Sequence, residues 1–292
     1  MKYKFSHIAL STSSHDRRVL PIATQVYEIL NNAGIKISFD ESLSELELAL
    51  RIKKRSTKHI IKNAQLLIAI GGDGTMLNCS RKYGSKGIPI LGINLGKVGF
   101  LTDISPDEIT SRLLEVIKGN FIKDKRFFLK ATIEGQKESY IALNEVVIHS
   151  GAIAQLIDFD LSIDNRFVYR QKADGLIVSS PSGSTAYSLS GGGPIVLPSV
   201  DAITLLPMFP HSLLNTSPLI VGDDSKIRIE MIGRKSKAVL SMDSHNSIKL
   251  KKGDIVNISK GKSSLTLFHP PGHDFFEACR NKLGWSSSFS KN

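Results

Sequence analysis

Two glycine-rich segments carry the residues of this sequence that could do chemistry. The first is Gly71-Gly72-Asp73-Gly74-Thr75, and the second extends over residues 174–187. Glycine places no side chain between the backbone N–H groups and an anion, so both segments suit a phosphate group. Each segment also contains a carboxylate. Together they predict a protein that holds phosphate groups and moves a proton beside them.

The setting of the first segment indicates a phosphate site at the start of a helix. A strand is predicted before Gly71 and a helix after Gly74, and a helix N-terminus offers unpaired N–H groups and a positive dipole. The spacing matches neither a Walker A loop nor the Gly-x-Gly-x-x-Gly dinucleotide fingerprint. Asp73, placed at this turn, could accept a proton or hold a metal-bound water.

The second segment combines glycines, hydroxyl groups and an aromatic ring. Its hydroxyl side chains before the ring are Ser179, Ser180, Ser182, Ser184 and Thr185. Tyr187 follows, and residues 188–194 then read Ser-Leu-Ser-Gly-Gly-Gly-Pro. We interpret this density of hydroxyl groups beside an aromatic ring as a binding loop, because a purely structural turn does not require it.

The charge of the chain favours an anionic partner. Lys and Arg number 38 against 27 Asp and Glu, which gives a formal net charge of +11. Phosphorylated nucleotides satisfy such a charge as well as nucleic acids do. We interpret the basic residues Arg51, Lys53, Lys54, Arg55 and Lys58 as a solvated helix face.

The cysteines and the apolar pattern indicate a cytoplasmic protein. Cys79 and Cys279 lie far apart without metal-ligand spacing, which suits a reducing compartment. The N-terminal residues lack the apolar region of a signal peptide. No stretch approaches the roughly 18 consecutive apolar residues of a membrane span. We therefore expect no membrane partner.

Strand and helix patterns alternate along the first 120 residues, which predicts a parallel sheet covered on both faces. Strands are expected over residues 5–11, 35–39, 65–70 and 88–93. Helices are expected over residues 19–30, 75–83 and 104–117. The last of these helices is entered at Ser105-Pro106, with serine at the N-cap and proline at the first helical position.

After residue 121 the pattern changes to short alternating strands. They are expected over residues 127–133, 141–149, 159–163, 167–169, 226–231, 238–242, 248–250, 255–259 and 265–268. Glu134-Gly135, Asp164-Asn165 and Lys252-Gly253 supply turns between them.

The predicted fold class is α/β plus all-β. A Rossmann-like parallel-sheet domain covers residues 1–120 and 270–292, and a β-sandwich-like domain covers residues 121–269. The final helix, over residues 274–283, returns to the first domain.

With these motifs the chain resembles the NAD kinases of the bacterial type over nearly its whole length. The segments that carry the resemblance are residues 71–75, 91–101, 143–145, 174–194 and 208–213. Diacylglycerol kinases and phosphofructokinases share the Gly-Gly-Asp-Gly motif, but they are not known for the Gly-Ser-Thr-Ala-Tyr sequence of residues 183–187. The resemblance implies ATP-dependent phosphorylation of the adenosine ribose 2′-hydroxyl of NAD, which gives NADP.

The same resemblance implies roles for individual residues. Asp73 would be the general base, while Gly72 and Gly74 would admit phosphate. Asn144 and Glu145 would hold ribose hydroxyls. The other residues implied in binding NAD or ATP are Phe100, Gln155, Lys172, Asp174, Ser182, Thr185, Ala186, Tyr187, Ser188, Leu189, Ser190 and His245. Of these, Asp174 would bind the nicotinamide end, beside which Lys172 would influence the choice between NAD and NADH.

Phosphoryl transfer between anions requires charge neutralisation. The sequence offers no compact set of metal ligands, and we interpret His149, His211, His269 and His273 as structural. We expect Mg²⁺ or another divalent cation to arrive with ATP, held mostly by phosphate oxygens and water. The resemblance also implies a homo-oligomer, namely a homotetramer, with a dimer as the alternative.

Two other classes of function stay open at this stage. One is a kinase whose acceptor is another hydroxyl, such as a sugar or a lipid, although no membrane-binding segment supports the lipid. The other is a non-catalytic module that binds nucleotides or nucleic acid. Against nucleic acid, no recognised motif occurs and aromatic residues make up only 7% of the chain.

Overall fold

The computed structural model describes residues 3–43, 54–96, 99–151, 155–211, 217–233 and 238–285. The chain divides into two compact units, residues 1–125 with 263–292 and residues 126–262. The first combines helices with a parallel sheet, and the second is built mainly of antiparallel strands. The predicted fold class is thereby confirmed. The division at residues 120 and 269, as the limits of independently folding domains, stays a prediction.

Parallel strands form the sheet of the first unit. They are β1 His7–Ser11, β2 Lys36–Asp40, β3 Lys54–Arg55, β4 Leu66–Ile70 and β5 Ile90–Ile93. Their order in the sheet is β3-β2-β1-β4-β5. β1, β4 and β5 are buried along their whole length, as expected when helices cover both faces of a parallel sheet.

Six helices are described along the chain, and most cover this sheet. They are α1 Val19–Asn32, α2 Thr57–Asn63, α3 Asp73–Lys82, α4 Ile109–Lys118, α5 Tyr187–Ser190 and α6 Phe275–Leu283. α1 packs Ile22, Val26 and Leu30, residues at helical spacing, into the core of the first unit. None of the described helices is long and apolar enough to cross a membrane.

Antiparallel strands form two layers in the second unit. The strands from β6 onward are β6 Ile122–Ile133, β7 Ser139–Ala142, β8 Glu145–Ser150, β9 Ile157–Ile163, β10 Arg166–Ala173, β11 Gly175–Ser179, β12 Ala202–Met208, β13 Leu219–Gly222, β14 Ile227–Met231, β15 Ala238–Met242, β16 His245–Lys249 and β17 Ile255–His269. One layer has the order β13-β12-β11-β8-β15-β16, while β9, β10, β14 and the first part of β17 belong to the other. Residues 122–125 of β6 and 263–269 of β17 belong to the first unit, where Leu267 pairs in parallel with Ile90 of β5. Val146 and Leu176 from the first layer share one core with Phe159 and Ile229 from the second.

Tight turns between the strands explain several polar residues of the second unit. Asp164 and Asn165 both have positive φ, 50° and 63°, between the paired strands β9 and β10. This backbone belongs to a hairpin turn in which Asp and Asn are favoured. The turns predicted at Glu134-Gly135 and Lys252-Gly253 also occur, with positive φ at Gly135 and Gly253.

The structure corrects several predicted elements of the second unit. β11, β12 and β13 were not predicted, because the first two are continuous apolar runs without the alternation of a half-buried strand. The single strand predicted over 141–149 is interrupted at Leu143-Asn144, between β7 and β8. The two strands predicted over 255–259 and 265–268 are one strand, β17.

The first unit also departs from the prediction in two places. Lys54 and Arg55, predicted on a helix face, form the short strand β3, while Lys58 lies in α2. Arg51 and Lys53 lie outside the described residues. The helix predicted from residue 104 begins at Ile109 after a 3₁₀ turn, Pro106–Glu108.

Candidate functional site

The carboxylate of Asp73 is fixed in orientation by the backbone of the segment after β5. Asp73 is the first residue of α3, directly beyond the carboxyl end of β4. The N–H of Phe100 donates to Oδ2 of Asp73 at 3.1 Å, and the N–H of Leu101 donates to Oδ1 at 3.1 Å. Asp73 is half-buried, so its carboxylate remains partly open to solvent. On that side it can accept another hydrogen bond or take up a proton.

The close approach of this segment to Asp73 requires glycine at position 99. A Cβ atom at Gly99 would lie 2.1 Å from Oδ1 of Asp73, far inside van der Waals contact. Thr102 holds the segment from the other side, since its Oγ1 accepts from the N–H of Gly99 and from Nδ2 of Asn94, both at 2.9 Å. Lys97 and Val98, which belong to the 91–101 motif, lie outside the described residues.

The Gly-Gly-Asp-Gly turn leaves open space where a phosphate could approach. Cβ atoms added at Gly72 and Gly74 would meet no atom within 4 Å, and both glycines are exposed. Gly71, by contrast, packs closely, because its Cβ would lie 2.2 Å from Oγ1 of Thr75. The N–H groups of Thr75 and Met76 donate to the carbonyl of Gly72, at 2.9 and 3.1 Å. Those of Asp73 and Gly74 precede these first bonds of α3 and are therefore suited to an anion.

In the second unit, Asp243 positions the Asn144-Glu145 pair. Oδ1 of Asp243 accepts from the N–H of Asn144 at 2.8 Å and of Glu145 at 3.3 Å, and Oδ2 accepts from the N–H of Leu143 at 3.0 Å. Asp243 has a positive φ of 47° in the turn between β15 and β16. The carboxylate thus holds the interruption between β7 and β8 in one conformation.

The hydroxyl-rich segment has two kinds of serine, which corrects its interpretation as a binding loop throughout. Its first part, Gly175–Ser179, is the buried strand β11. Ser180 Oγ donates to the carbonyl of Leu143 at 2.5 Å, and Ser184 Oγ accepts from the N–H of Val196 at 3.0 Å. Ser179 Oγ donates to the carbonyl of Ser180 at 2.9 Å. These three hydroxyls therefore satisfy the backbone of the turn.

Gly183 brings the hydroxyl-rich turn against Asn144. A Cβ atom at Gly183 would lie 2.3 Å from the carbonyl oxygen of Asn144, so only glycine fits. The N–H of Ser180 donates to that carbonyl at 2.8 Å. Ser182 accepts a hydrogen bond at 3.0 Å from Nη1 of Arg126, a buried residue that the sequence analysis did not identify.

Three buried oxygen atoms at this end of the six-stranded layer have no hydrogen-bond partner among the residues that the structure describes. They are Oδ1 of Asn144, Oε2 of Glu145 and Oγ of Ser188. Buried polar atoms are normally paired, so an orphaned set of acceptors indicates a partner with hydrogen-bond donors. Hydroxyl groups of a sugar can donate to such acceptors. All three residues belong to the predicted binding set.

Burial gives Glu145 an unusual protonation behaviour. Desolvation, reinforced by the nearby carboxylate of Asp243, raises the pKa of Glu145 to about 8, although the N–H of Tyr187 opposes the shift by donating to it. The side chain is therefore mostly protonated at neutral pH and can donate as well as accept a hydrogen bond.

The remaining predicted residues lie at various depths in the second unit. Tyr187 is exposed and Ser182 and Ser188 are buried, whereas Thr185, Ala186, Leu189 and Ser190 lie half-buried or exposed on the same turn. Asp174 is half-buried between β10 and β11, and Lys172 is exposed on β10. Gln155 and His245 are both exposed. The structure thus brings together Asn144, Glu145 and the 182–188 turn.

Two histidines that we interpreted as structural lie in a cluster with acidic residues of the first unit. His269 Nδ1 is 2.5 Å from Oδ2 of Asp103, and His273 Nδ1 is 2.8 Å from Oδ1 of the same carboxylate. On the other edge of the buried His269 ring, Nε2 is 3.2 Å from Oδ2 of Asp124. Asp103, His269 and His273 thus bring three possible ligand atoms within 4.8 Å of one another, a proximity that their spacing in the sequence does not indicate.

The spacing within this cluster is that of hydrogen bonds. Ligands of a tetrahedral zinc ion at its usual bond lengths lie about 3.3 Å apart. The imidazole nitrogens here lie closer than that to the oxygens of Asp103, which places protons between them. The two carboxylates outweigh burial and raise the pKa of His269 to about 9, so this ring is an imidazolium at neutral pH.

We predict that Glu145→Gln stabilises the protein in alkaline solution. The raised pKa of Glu145 means that the folded state holds its proton above the unfolded pKa, so wild-type stability falls as the pH rises through about 8. The variant removes this loss and should gain on the order of 5 kcal/mol at alkaline pH, with little gain near pH 4.5. Urea unfolding at both pH values measures it.

The matched control for this prediction is Glu138→Gln, the same change at an exposed glutamate of the same unit. It should leave the pH dependence of the unfolding midpoint unchanged. Equal pH dependence of Glu145→Gln and wild type would contradict the assigned environment of Glu145.

Comparison with known proteins identifies the family of both units. The model of the ATP-NAD kinase N-terminal domain matches residues 8–121, and that of the ATP-NAD kinase C-terminal domain matches residues 143–269. The NAD kinase of Acinetobacter baylyi is 42% identical over 288 residues, which cover 98% of this chain and 94% of that protein. The NAD kinase of Escherichia coli is 40% identical over 278 residues, covering 93% of this chain and 94% of that protein.

Solved structures show the same likeness. The yeast NADH kinase complexed with NADH has a TM-score of 0.86 at 26% identity and is matched over 99% of this chain and 90% of its own. An NAD kinase from Archaeoglobus fulgidus in complex with ATP has a TM-score of 0.74 at 25% identity, over 97% of this chain and all of its own. The family models together match most of the chain, and so this protein belongs to the NAD kinase family and is an enzyme that phosphorylates NAD.

Proposed function

We propose that the protein transfers the γ-phosphoryl group of ATP to the 2′-hydroxyl of the adenosine ribose of NAD, which yields NADP and ADP. The observation that carries this proposal is the set of buried acceptors without partners, Oδ1 of Asn144, Oε2 of Glu145 and Oγ of Ser188. A ribose presents two adjacent hydroxyls that can donate to such a set. Membership of the family supports NAD as the molecule that carries this ribose.

Asp73 is the general base of this proposal. A ribose hydroxyl is a weak nucleophile at neutral pH and becomes stronger when a positioned carboxylate takes its proton. As the hydroxyl oxygen bonds to the γ-phosphorus, its proton passes to Asp73 and the bond from γ-phosphorus to ADP breaks. The hydrogen bonds from Phe100 and Leu101 support this role, because they orient the carboxylate and leave further lone pairs for the proton.

The glycine turn is the proposed cradle for the phosphates of ATP. Gly72 and Gly74 are exposed and have open space at their Cα atoms, so phosphate oxygens can reach the backbone there. The N–H groups of Asp73 and Gly74 and the positive end of the α3 dipole would offset phosphate charge. This arrangement uses backbone groups and therefore does not need the lysine of a Walker A loop.

A divalent cation fits this site as a companion of ATP. Asp73 offers carboxylate oxygens, the ligand type that Mg²⁺ prefers, but both already accept backbone N–H groups. Phosphate oxygens and water would supply the remaining ligands of an octahedral ion. When bound with ATP, the ion would neutralise the charge that develops on the transferred phosphoryl group.

The other assignments are part of the same proposal. Asn144, Glu145, Ser182 and Ser188 bind the ribose region of NAD, with Tyr187 against a base or ribose. Residues assigned to the remaining contacts of NAD or ATP are Phe100, Gln155, Lys172, Asp174, Thr185, Ala186, Leu189, Ser190 and His245. We further propose that the protein works in the cytoplasm, without nucleic acid or membrane, as a homodimer or homotetramer. Light scattering of the purified protein tests the oligomeric state.

We predict that the purified protein forms NADP from NAD only when ATP and a divalent cation are both present. Chelation of the cation by EDTA should abolish NADP formation, and added Mg²⁺ should restore it. An NADP-specific dehydrogenase coupled to the reaction measures the product. Lack of NADP above background with Mg²⁺ and with Mn²⁺ would contradict the proposed function.

We predict that Asp73→Asn lowers kcat on the order of 10²–10⁴-fold, with a modest change in KM. The amide keeps the size of the side chain but cannot take the proton of the hydroxyl. Asp107→Asn, the same change at an exposed aspartate of the same unit, serves as the control and should retain wild-type kcat. A near wild-type rate for Asp73→Asn would reduce Asp73 to a turn-forming residue.

A further inference from the structure

The Asp103–His269 cluster lies on the same chain segment that orients Asp73. Asp103 follows Phe100 and Leu101 by only two or three residues. Its own N–H bonds to the carbonyl of Gly92 in β5 at 3.4 Å. Residues 99–103 therefore carry the donors to Asp73 at one end and the carboxylate that meets His269 at the other.

The far side of the cluster is anchored in the frame of the first unit. His269 is the last residue of β17, and 1% of its side chain is exposed. Asp124, which meets the other edge of the ring, lies in β6. The His273 ring stacks on that of His269, with centroids 3.8 Å apart, so the turn before α6 also supports it. The ring is thus held on both edges and on one face.

A charged hydrogen bond from a buried, immobilised ring is well suited to fix the segment of residues 99–103. Hydrogen bonds with two ionised partners are shorter and stronger than neutral ones. The 2.5 Å separation between Nδ1 of His269 and Oδ2 of Asp103 fits such a bond. Without it, Asp103 keeps its backbone bond to Gly92 and the contact of its Oδ1 with His273. The rest of the segment keeps the bonds of Thr102 and those of Phe100 and Leu101 to Asp73.

We propose that His269 is a positioning residue for phosphoryl transfer, which fixes Asp103 and, through residues 99–103, the orientation of the Asp73 carboxylate. This inference rests on the proposed role of Asp73 as general base. His269 touches neither substrate, and its effect on the rate passes entirely through Asp73. A misplacement of a catalytic group by about 1 Å can lower the rate on the order of 100-fold, so the effect of losing the His269–Asp103 hydrogen bond should be measurable.

The test is a double-mutant cycle on kcat with His269→Gln and Asp73→Asn. His269→Gln alone should lower kcat between about 10- and 100-fold, with KM for NAD and ATP within about 3-fold of wild type. In the Asp73→Asn background the same substitution should lower the residual rate by less than about 3-fold, because there is no base left to orient. Asp103→Asn preserves the shape of the side chain and should behave as His269→Gln does.

His7→Gln is the matched control, since His7 is a buried histidine of the same unit that bonds to Ser38 at 2.8 Å. It should lower thermal stability but retain wild-type kcat. Equal fold-losses from His269→Gln in both backgrounds would assign a general structural role and overturn the proposal. Wild-type kcat for both His269→Gln and Asp103→Asn would overturn it as well.

The cycle separates this inference from the proposed function. An inactive wild type, or an unimpaired Asp73→Asn, would count against the proposed function itself. An active wild type with an impaired Asp73→Asn and a fully active His269→Gln would overturn only the positioning role of His269. Because Asp103→Asn is the milder change, it decides the outcome where His269→Gln lowers the folded fraction measured by circular dichroism.

Discussion

The pair of hydrogen bonds from the backbone of Phe100 and Leu101 to Asp73 is the interaction on which the proposed chemistry of the first unit depends. β4 and β5 are parallel neighbours, with Ile70 opposite Ile93, so the turn and the segment that follow them leave the same edge of the sheet. Gly99 then permits a contact that any side chain would prevent. Sheet topology, a missing Cβ and two N–H groups together define the direction of one carboxylate.

The second unit likewise uses a glycine and a carboxylate to fix the backbone of its site, but it loses stability through unpaired buried oxygens. Gly183 lets the hydroxyl-rich turn abut the carbonyl of Asn144, and Asp243 fixes the backbone that carries Asn144 and Glu145. The result is a set of buried oxygens without partners, which is unfavourable for the isolated fold. The raised pKa of Glu145 expresses the same unfavourable burial. Such a trade of stability against binding is typical of functional sites.

The sequence predicted what depends on local pattern, and it missed what depends on distant contacts. Helical spacing in α1 and the turn residues Asp164-Asn165 were sufficient for their elements. In β11 and β12 polar and apolar residues do not alternate, because both faces of these strands are buried. Their apolar runs therefore lacked the two-residue period by which a strand is recognised. Contacts of Asp243 with Leu143 and of Asp103 with His269 join residues about 100 and 166 positions apart, which no local pattern reveals.

In the proposed function, the orphaned oxygens of Asn144, Glu145 and Ser188 bind ribose hydroxyls. Calorimetric titration of wild-type protein with NAD, and with an NAD analogue that lacks both hydroxyls of the adenosine ribose, tests this directly. We expect the analogue to bind at least about 10-fold more weakly than NAD, because buried acceptors are left unpaired in its complex. Equal affinity for the two ligands would contradict it.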